Sequence, residues 1–435
     1  MPVPFAARAA LLALLAAPAA AQAPDTLRLH VVLGAVSDAN PTLAAARLNA
    51  DALAQRGDQV GARPDPTASV MVAPFPVLTA RGAQRSQWRV EQALPWPGTL
   101  ALRRRAADLA ASVSGAEADA LALDLAFETR RAFFDLVHAH HVEAVLVAYQ
   151  ARLGAFAEAA AVRYEVGRGP QAAILQVQLE RERIAQRRFM LEAHRVEALQ
   201  TLARLADRPD LVGTPVAVEA PALPDDLDAL VALAFEARPE RRALALARQR
   251  AAAEVALAQK AVYPELAVGV VYTDIADRDV PMTADGRDAI GVMVSGRIPL
   301  DRSRLRAREA EARERVAETA ARAYALDTAL RTQVAALAER VRQTRRAHAL
   351  YQDRLLPLAA TTVESTLAAY TTGEADYLSF LGAERTRFEV ALAAADAHHH
   401  VLVAVAALQR ALGTDAADAT DAEAIPSGHE APHHR

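Results

Sequence analysis

The chain repeats its own pattern once, and this internal duplication limits its possible folds more than any other feature. Gly373, in Tyr370-Thr-Thr-Gly-Glu-Ala-Asp-Tyr-Leu-Ser-Phe-Leu, lies 206 positions after Gly167, in Tyr164-Glu-Val-Gly-Arg-Gly-Pro-Gln-Ala-Ala-Ile-Leu. In both copies a Tyr precedes the Gly by three residues and a Leu follows it by eight. Each copy predicts a helix, a tight glycine turn and a helix running back. If both turns lie at the same end of the molecule, we expect that end to carry function.

Prolines repeat at one spacing and support the duplication. Pro41 and Pro239 are 198 positions apart, and so are Pro66 and Pro264. Each follows or interrupts an Ala-rich and Leu-rich stretch that predicts helix. We therefore divide the chain into a leader at 1–23, a first repeat at 24–208, a linker at 209–224, a second repeat at 225–413, and a tail at 414–435 that is rich in Asp and Ala and then in His, and that we expect to be disordered.

The first 23 residues are typical of a secretory signal peptide. Arg8 supplies positive charge, 9–17 is apolar, and 19–23 consists of small residues and one Gln. The alternative is an N-terminal anchor, but the apolar run is shorter than the ~20 residues that a spanning helix needs. We expect no later stretch to be apolar enough for a transmembrane helix, so that strands must cross any membrane that the mature chain spans.

Composition excludes several classes of function. The chain has no cysteine, so disulfides, thiol catalysis and thiolate metal sites are absent. Its formal net charge is −4, whereas proteins that bind nucleic acids usually carry an excess of basic residues. No phosphate-cradling glycine motif and no His-Glu-x-x-His motif occurs. We therefore predict neither an enzyme nor a bound cofactor.

Two pairs of segments alternate apolar and polar residues and predict two β-hairpins, with strands of about eight to ten residues. Pro74 to Arg85 and Asp274 to Asp288 are expected to be the exposed loops between them. Such alternation is typical of outer-membrane barrels, although two soluble hairpins packed on helices are the alternative. The predicted membrane-facing residues are Trp88, Val90, Leu94, Leu266, Val268, Val270, Tyr272, Ile290, Val292, Val294 and Ile298.

Four strands are too few to close a barrel across a membrane, so the chain must oligomerise; three copies would supply twelve strands. Long helices are expected to follow the hairpins. The stretch 99–163 would span roughly 100 Å, and its partner 301–370 would bend at Pro357. Apolar residues from Leu326 to Leu358 recur at alternating spacings of four and three, which predicts coiled packing. Return helices are expected at 172–206 and 376–412.

Histidines form three groups: 138, 140 and 141; 398 to 400; and 429, 433 and 434. Neutral imidazoles bind Zn²⁺, Cu²⁺ or Ni²⁺, and His138 and His141 share a helix face. The alternative, which we favour, is polar residues on helix surfaces and a His-bearing tail.

The order of the predicted helices, hairpins and glycine turns, from about Leu27 to Gly413, resembles that of the TolC-type outer-membrane efflux proteins. The motifs that carry the resemblance are Arg238-Pro-Glu-Arg-Arg-Ala-Leu-Ala at a helix break, Leu94-Pro-Trp-Pro-Gly at the exit of the first hairpin, and Leu356-Pro-Leu-Ala followed by Tyr370-x-x-Gly-Glu-x-x-Tyr-Leu-x-x-Leu. Each motif alone has low specificity, whereas together, in order and duplicated, they are specific. The hairpin exit and the Tyr-x-x-Gly form resemble the branch that exports heavy-metal cations.

The resemblance implies a mainly α fold with a small β part. A homotrimer would form a twelve-stranded transmembrane β-barrel in outer-membrane lipid and a long periplasmic α-helical coiled-coil barrel. Cargo, either metal cations or drugs, would come from an inner-membrane pump, of the RND type, through a periplasmic adaptor. By position, the tip residues that would touch the adaptor are Tyr164, Val166, Gly167, Arg168, Tyr370, Gly373 and Glu374.

The sequence departs from the family where the constriction is often acidic, since Ala173, Ser379 and Gly382 are neutral here. The candidates for a gate are therefore Glu374, Asp376 and Ser379. Asp376 has an alternative role as the residue that caps the following helix. For the whole chain, the alternative to a duct is a periplasmic coiled-coil scaffold or adaptor without a pore.

Overall fold

The structure is a computed structural model that describes residues 26–79, 82–166, 170–276 and 286–414. The expected leader at 1–23, nearly all of the tail at 414–435, and the tip residues Gly167 and Arg168 lie outside the described residues.

Nine helices and six strands follow one another in the described part of the chain. The first half contains β1 (Thr26–Leu27), α1 (Leu29–Ala39), α2 (Pro41–Gly61), β2 (Thr67–Thr79), β3 (Gly82–Leu94), α3 (Thr99–Glu165) and α4 (Gln171–Leu205). The second half contains β4 (Thr214–Pro215), α5 (Leu227–Ala237), α6 (Pro239–Lys260), β5 (Glu265–Ala276), β6 (Ala289–Arg297), α7 (Arg302–Leu350), α8 (Leu356–Thr372) and α9 (Tyr377–Leu412). Long helices with few strands confirm the predicted fold class.

A proline starts the second helix of each N-terminal pair. Pro41 opens α2 and Pro239 opens α6, because proline lacks the N–H that the first turn leaves unpaired. Asn40 caps α2 by accepting hydrogen bonds from the amides of Thr42 and Leu43, both at 3.0 Å. The two predicted helix breaks are therefore present.

The four long strands form one antiparallel sheet in the order β2-β3-β5-β6. The expectation that 74–85 is a loop was wrong. Strand β2 continues to Thr79 and β3 starts at Gly82, so each has 13 residues. Strand β2 accommodates Pro74 and Pro76 because it is an edge strand with a register irregularity between Val72 and Val77. Proline has no N–H to donate, and at this place its absence removes no hydrogen bond from the interior of the sheet.

The long helices match the expected lengths. Helix α3 has 67 residues, which corresponds to roughly 100 Å. In the second half, a π-helical turn at Tyr351–Leu355 separates α7 from α8, and Pro357 lies in the first turn of α8. A wider turn accommodates the ring and missing N–H of the proline. On the predicted coiled stripe of α7, Leu330 and Val334 are fully buried.

Packing is concentrated in separate cores along the helices. A middle core joins α3 and α9 through Phe133 and Leu402, and β1 pairs in parallel with β4 beside it. A second core joins α5, α7 and α9 around Leu230 and Val334. A third lies toward the glycine turns and includes Tyr149 of α3.

Two helices are apolar enough to cross a membrane by length and composition alone, contrary to the expectation from the sequence. They are Thr99–Val162 and Tyr377–Leu412, with windows of mean hydropathy 1.2 and 1.4. Both helices also supply buried side chains to the protein's own cores, such as Phe133 and Leu402. Core helices meet the same criterion, so it is weak evidence for a membrane span.

Candidate functional site

The apolar face of the sheet is the first part of the candidate site. Strand pairing aligns Trp88 with Tyr272 and Ile290, and Val90 with Val270 and Val292, in rows across β3, β5 and β6. Side chains in such rows share one face, because alternate residues point to opposite sides. All eleven predicted membrane-facing residues have exposed side chains; among them, Val292 is 78% exposed. Ile298 lies just beyond β6.

Sequence analysis missed the contribution of β2 to this face. Val70 pairs with Trp88 and Ala68 pairs with Val90, so they extend the rows to the edge strand. Val70 is about half exposed and Val72 more so. In the run Ser69, Val70, Met71, Val72, the apolar Met71 stands where alternation would require a polar residue. The sequence pattern therefore did not show which side chains of β2 lie on the apolar face.

The opposite face of the sheet carries polar groups. The hydroxyl of Ser295 donates to Glu91 at 2.5 Å across β5, and Gln87 pairs with Thr273. One apolar and one polar face suit a sheet with lipid on one side and water on the other.

Within the described ranges of this single chain, the sheet has two unpaired edges, β2 and β6. Open edges with long apolar strands favour pairing with another chain.

The end of α3 and the start of α4, which flank the first glycine turn in the sequence, pack beside the second glycine turn. Phe156 near the end of α3 meets Phe380 at the start of α9 edge-on, with ring centroids 4.9 Å apart. The hydroxyl of Tyr377 donates to the carbonyl oxygen of Phe156 at 3.4 Å. Ala160 and Ala173, on either side of the first turn, belong to the same core as Tyr377.

The second glycine turn has the geometry that only glycine adopts readily. Gly373 ends α8 with φ of 85°, in the left-handed region. The amides of Glu374 and Ala375 both donate to the carbonyl oxygen of Ala369, at 2.8 and 3.0 Å. Apart from the adjoining residues, no described heavy atom lies within 4 Å of the place that a Cβ would take at Gly373, so backbone conformation rather than crowding selects this residue.

The predicted tip residues differ in exposure. Tyr164 and Val166 are 48% and 62% exposed, and Gly373 and Glu374 are exposed as well. Tyr370 instead is half-buried and stacks on Phe380, with ring centroids 5.8 Å apart and planes 9° apart. Tyr370 therefore supports the turn from within.

Among the gate candidates, Asp376 acts as a helix cap. Its carboxylate accepts a hydrogen bond from the amide of Ser379 at 2.8 Å, and hydrogen bonding by Ser379 lowers the pKa of Asp376. Asp376, Ser379 and Glu374 are all exposed at the start of α9. The capping role is thus present.

A buried charge pair above the tip was missed by sequence analysis. Glu384 is 3% exposed, and its Oε2 lies 3.1 Å from Nε of Arg152. Neither atom has a hydrogen-bond partner of good geometry, so this contact is an ion pair. Burial raises the pKa of the neighbouring Tyr149 to about 12. The sequence did contain a signal for this burial. Glu384 follows Leu381 by three residues and precedes Phe388 by four, so it lies on the same apolar stripe of the helix.

The structure brings two of the three histidine groups together and adds a residue to them. His398 of α9 lies between His141 of α3 and His348 of α7, with ring centroids 5.5 and 5.3 Å apart. Burial, followed by repulsion from His141 and His348, lowers the pKa of His398 to about 4. Beside them, His399 contacts Asp135 at 2.7 Å.

No group of three or more histidine or acidic side chains is arranged to hold a metal ion among the residues that the structure describes. The third histidine group, in the tail, lies outside them.

Residues 230–414 match the sequence model of the outer membrane efflux proteins. A search of curated proteins found no significant match.

Solved structures match over 88% of this chain. The outer-membrane channel OprN has a TM-score of 0.74, 18% identity and 89% of its own length covered. CusC, described in connection with transmembrane channel formation, has a TM-score of 0.74, 18% identity and 92% covered. The outer-membrane channel CmeC of Campylobacter jejuni has a TM-score of 0.72, 15% identity and 85% covered.

These matches confirm the predicted resemblance to the outer membrane efflux proteins. They also agree with the prediction that the chain is not an enzyme, since the matched proteins are channels. The chain is thus similar to the outer membrane efflux proteins in sequence across its second repeat, and it has the fold of their channels across both repeats.

Proposed function

We propose that this protein is the outer-membrane exit duct of a tripartite efflux system. It conducts cargo passively from an inner-membrane pump and a periplasmic adaptor to the exterior. The observation that carries the proposal is the four-stranded sheet, which exposes rows of apolar side chains on one face and whose outer strands β2 and β6 each pair on one side only within the described residues. A soluble protein would be expected to cover an apolar surface of this kind.

In an assembly of three copies, both edge strands of each sheet would be paired. Strand β6 of one subunit would pair with β2 of the next, and twelve strands would then close without an unpaired edge. The apolar rows of Trp88 and Val90 would face lipid, and Glu91 and Ser295 would face the water-filled interior. The long helices of three subunits would continue the barrel as a periplasmic tunnel.

The glycine turns are the proposed docking end for the adaptor. Tyr164, Val166, Gly373 and Glu374 present exposed groups there, and Gly167 and Arg168 complete the first turn in the sequence. Tyr370 contributes by holding the turn rather than by direct contact. An RND-type pump is the proposed source of cargo beyond the adaptor.

The proposed gate consists of the carboxylates of Glu374 and Asp376, with Ser379 beside them. Related by threefold symmetry, they would place a ring of negative charge around the narrow end of the tunnel. Such a ring favours cations. Heavy-metal cations are therefore the cargo class that we favour, with drugs as the alternative.

Single-channel conductance of the purified full chain in a planar bilayer tests the proposal. Discrete small conductance steps, together with a heat-modifiable trimer in the outer-membrane fraction, are expected. A soluble periplasmic monomer without conductance would favour the scaffold instead. Block by Zn²⁺ in wild type, and its loss in Glu374→Gln/Asp376→Asn, would support the acidic ring.

A further inference from the structure

A cleft of about 580 Å³ lies where the strands of the sheet give way to helices. It is bounded by the ends of β3 and β6, the start of β5, and the adjoining ends of α3, α6 and α7. Sequence analysis predicted no ligand site at this place, and the proposed duct assigns it none.

Positive charge dominates the cleft. Five cationic side chains line it, against two acidic ones. Glu265 is 3.7 Å from Arg297, and Asp301 accepts from the amide of Arg304 at 3.0 Å. The other cationic side chains are Arg103, Lys260, Arg304 and Arg308. Across the described ranges, no carboxylate lies within ion-pair distance of Arg103, Arg304 or Arg308.

Aromatic side chains form one wall of the cleft. Trp96 stacks on Tyr263 with ring centroids 4.5 Å apart and planes 5° apart. The ammonium group of Lys260 lies 5.7 Å from the ring of Tyr263. Trp and Tyr are enriched at the membrane–water boundary, where an apolar ring and a polar group are both accommodated.

The cleft lies where the apolar strands of the sheet end. Ile298 and Leu300, which follow β6 at alternate positions of the sequence, line the cleft and are 68% and 83% exposed. Trp96, two positions after the last residue of β3, lines it as well. Apolar side chains therefore lie directly beside the unpaired guanidinium groups.

We propose that this cleft binds the phosphate of an anionic phospholipid in the periplasmic leaflet, an inference that rests on the proposed membrane barrel. The guanidinium groups of Arg103, Arg304 and Arg308 would hold the headgroup, because arginine matches phosphate oxygens with paired donors. The acyl chains would lie along Ile298 and Leu300. Basic pockets at the membrane boundary bind lipid headgroups in this way.

The test uses the full-length protein, stripped of lipid in neutral detergent. Native mass spectrometry measures the binding of phosphatidylglycerol and of phosphatidylcholine with the same acyl chains. We expect preference for phosphatidylglycerol. Arg304→Gln/Arg308→Gln should weaken phosphatidylglycerol binding about thirtyfold, at roughly fivefold per cation. Arg103→Gln, on a different helix, should weaken it about fivefold.

The matched control is Arg302→Gln/Arg306→Gln. It makes the same charge change at the same spacing on α7, at exposed residues outside the cleft. Equal loss of lipid in the two double variants, or no loss in either, would overturn the proposal. A second arm adds inorganic phosphate: displacement of the lipid at equal concentration would indicate a free-anion site and would also overturn it.

Flotation with phosphatidylcholine liposomes separates this inference from the proposed function. Protein that fails to float would contradict the membrane barrel itself. Protein that floats but binds both lipids equally would contradict the headgroup site alone. Circular dichroism of each variant confirms that it is folded before binding is compared.

Discussion

The guanidinium of Arg238 donates to the backbone carbonyl oxygen of Arg410 at 3.0 Å, and so connects the break between α5 and α6 to the end of α9. In the first half, the side-chain amide of Asn40 donates to the carbonyl oxygen of Leu205 at 2.8 Å, and connects the break between α1 and α2 to the end of α4. Both side chains are buried. Each repeat therefore has a joint, a hydrogen-bonded connection between its helix break and the end of its last helix. The two joints use different residue types.

Replacing Arg238 should destabilise the second joint. Arg238→Met would leave the carbonyl oxygens of Arg410 and Ala411 without this donor and would remove an ion pair with Glu240 at 2.8 Å. We expect a loss of about 3 kcal/mol in the free energy of unfolding, measured by chemical denaturation in detergent. The control is Arg242→Met, whose ion pair with Asp119 is exposed, and which should cost at most about 1 kcal/mol. Equal losses would contradict the assignment.

Gly373→Pro should abolish export without preventing assembly. Proline requires φ near −65°, whereas Gly373 has φ of 85°, so the turn cannot form as it stands. The middle core and the sheet contain no residue of this turn. Export assays and native gels measure the two effects. Gly115→Ala is the control, because Gly115 lies within α3, away from the glycine turns, with open space around it. Wild-type export by Gly373→Pro would refute the tip assignment.

Tyr370 and Phe380 should be energetically coupled across the second turn. Their rings stack with planes 9° apart, and such pairs contribute about 1 kcal/mol beyond burial. A double-mutant cycle with Tyr370→Leu and Phe380→Leu, read from hydrogen exchange of the tip amides, should give a coupling of that size. Tyr164, exposed at the first turn, paired with Phe380 supplies the control cycle, where we expect no coupling. Additive effects of Tyr370 and Phe380 would contradict a supporting role for Tyr370.

The free energy of unfolding should decrease as the pH is lowered, because of His398. The pKa of His398 is lowered from 6.5 to about 4 in the folded protein, so the unfolded chain binds more protons between these values. The stabilisation is therefore fully present above pH 6.5 and is lost as pH falls toward 4. After allowance for partial solvent screening, we expect a loss on the order of 1–2 kcal/mol.

Four other histidines act on His398 from neighbouring positions: His141, His348, His399 and His138. His398→Leu should flatten the dependence between pH 6.5 and 4, measured by unfolding midpoints across that range. His194→Gln, on the exposed surface of α4, should keep the wild-type dependence. An unchanged slope in His398→Leu would show that other groups are responsible.

Adjacent residues on β6 test the two faces of the sheet. Val292 and Met293 point to opposite sides, and Val292 belongs to the apolar rows. A lysine facing lipid near the middle of a bilayer costs about 2–4 kcal/mol, so Val292→Lys should reduce the yield of membrane-inserted protein in a urea-folding assay with liposomes. Met293→Lys, facing the interior, should insert almost normally. Equal insertion of both variants would favour a sheet outside the membrane.

Local pattern in the sequence determined the elements and their order. The glycine turns, the proline breaks, the period of two in the hairpins and the long helices all depend on backbone preferences that act within a few residues. The sequence therefore predicted α3 and α9 closely, and where it predicted a bend at Pro357 the structure has a π-helical turn just before α8. It misplaced the first hairpin loop because prolines usually end strands, and only the edge position of β2 makes Pro74 acceptable.

Tertiary structure decided which distant residues meet. His398 joins His141 and His348, Glu384 meets Arg152, and Trp96 stacks on Tyr263. Each contact joins side chains on different helices or connecting segments, and its geometry depends on how those elements rotate and slide against one another. No local propensity specifies that relation. The sequence by itself therefore determined the order of the elements and the place of the helices, while tertiary packing decided the extent of β2 and β3, the charge pairs, the histidine cluster and the cationic cleft.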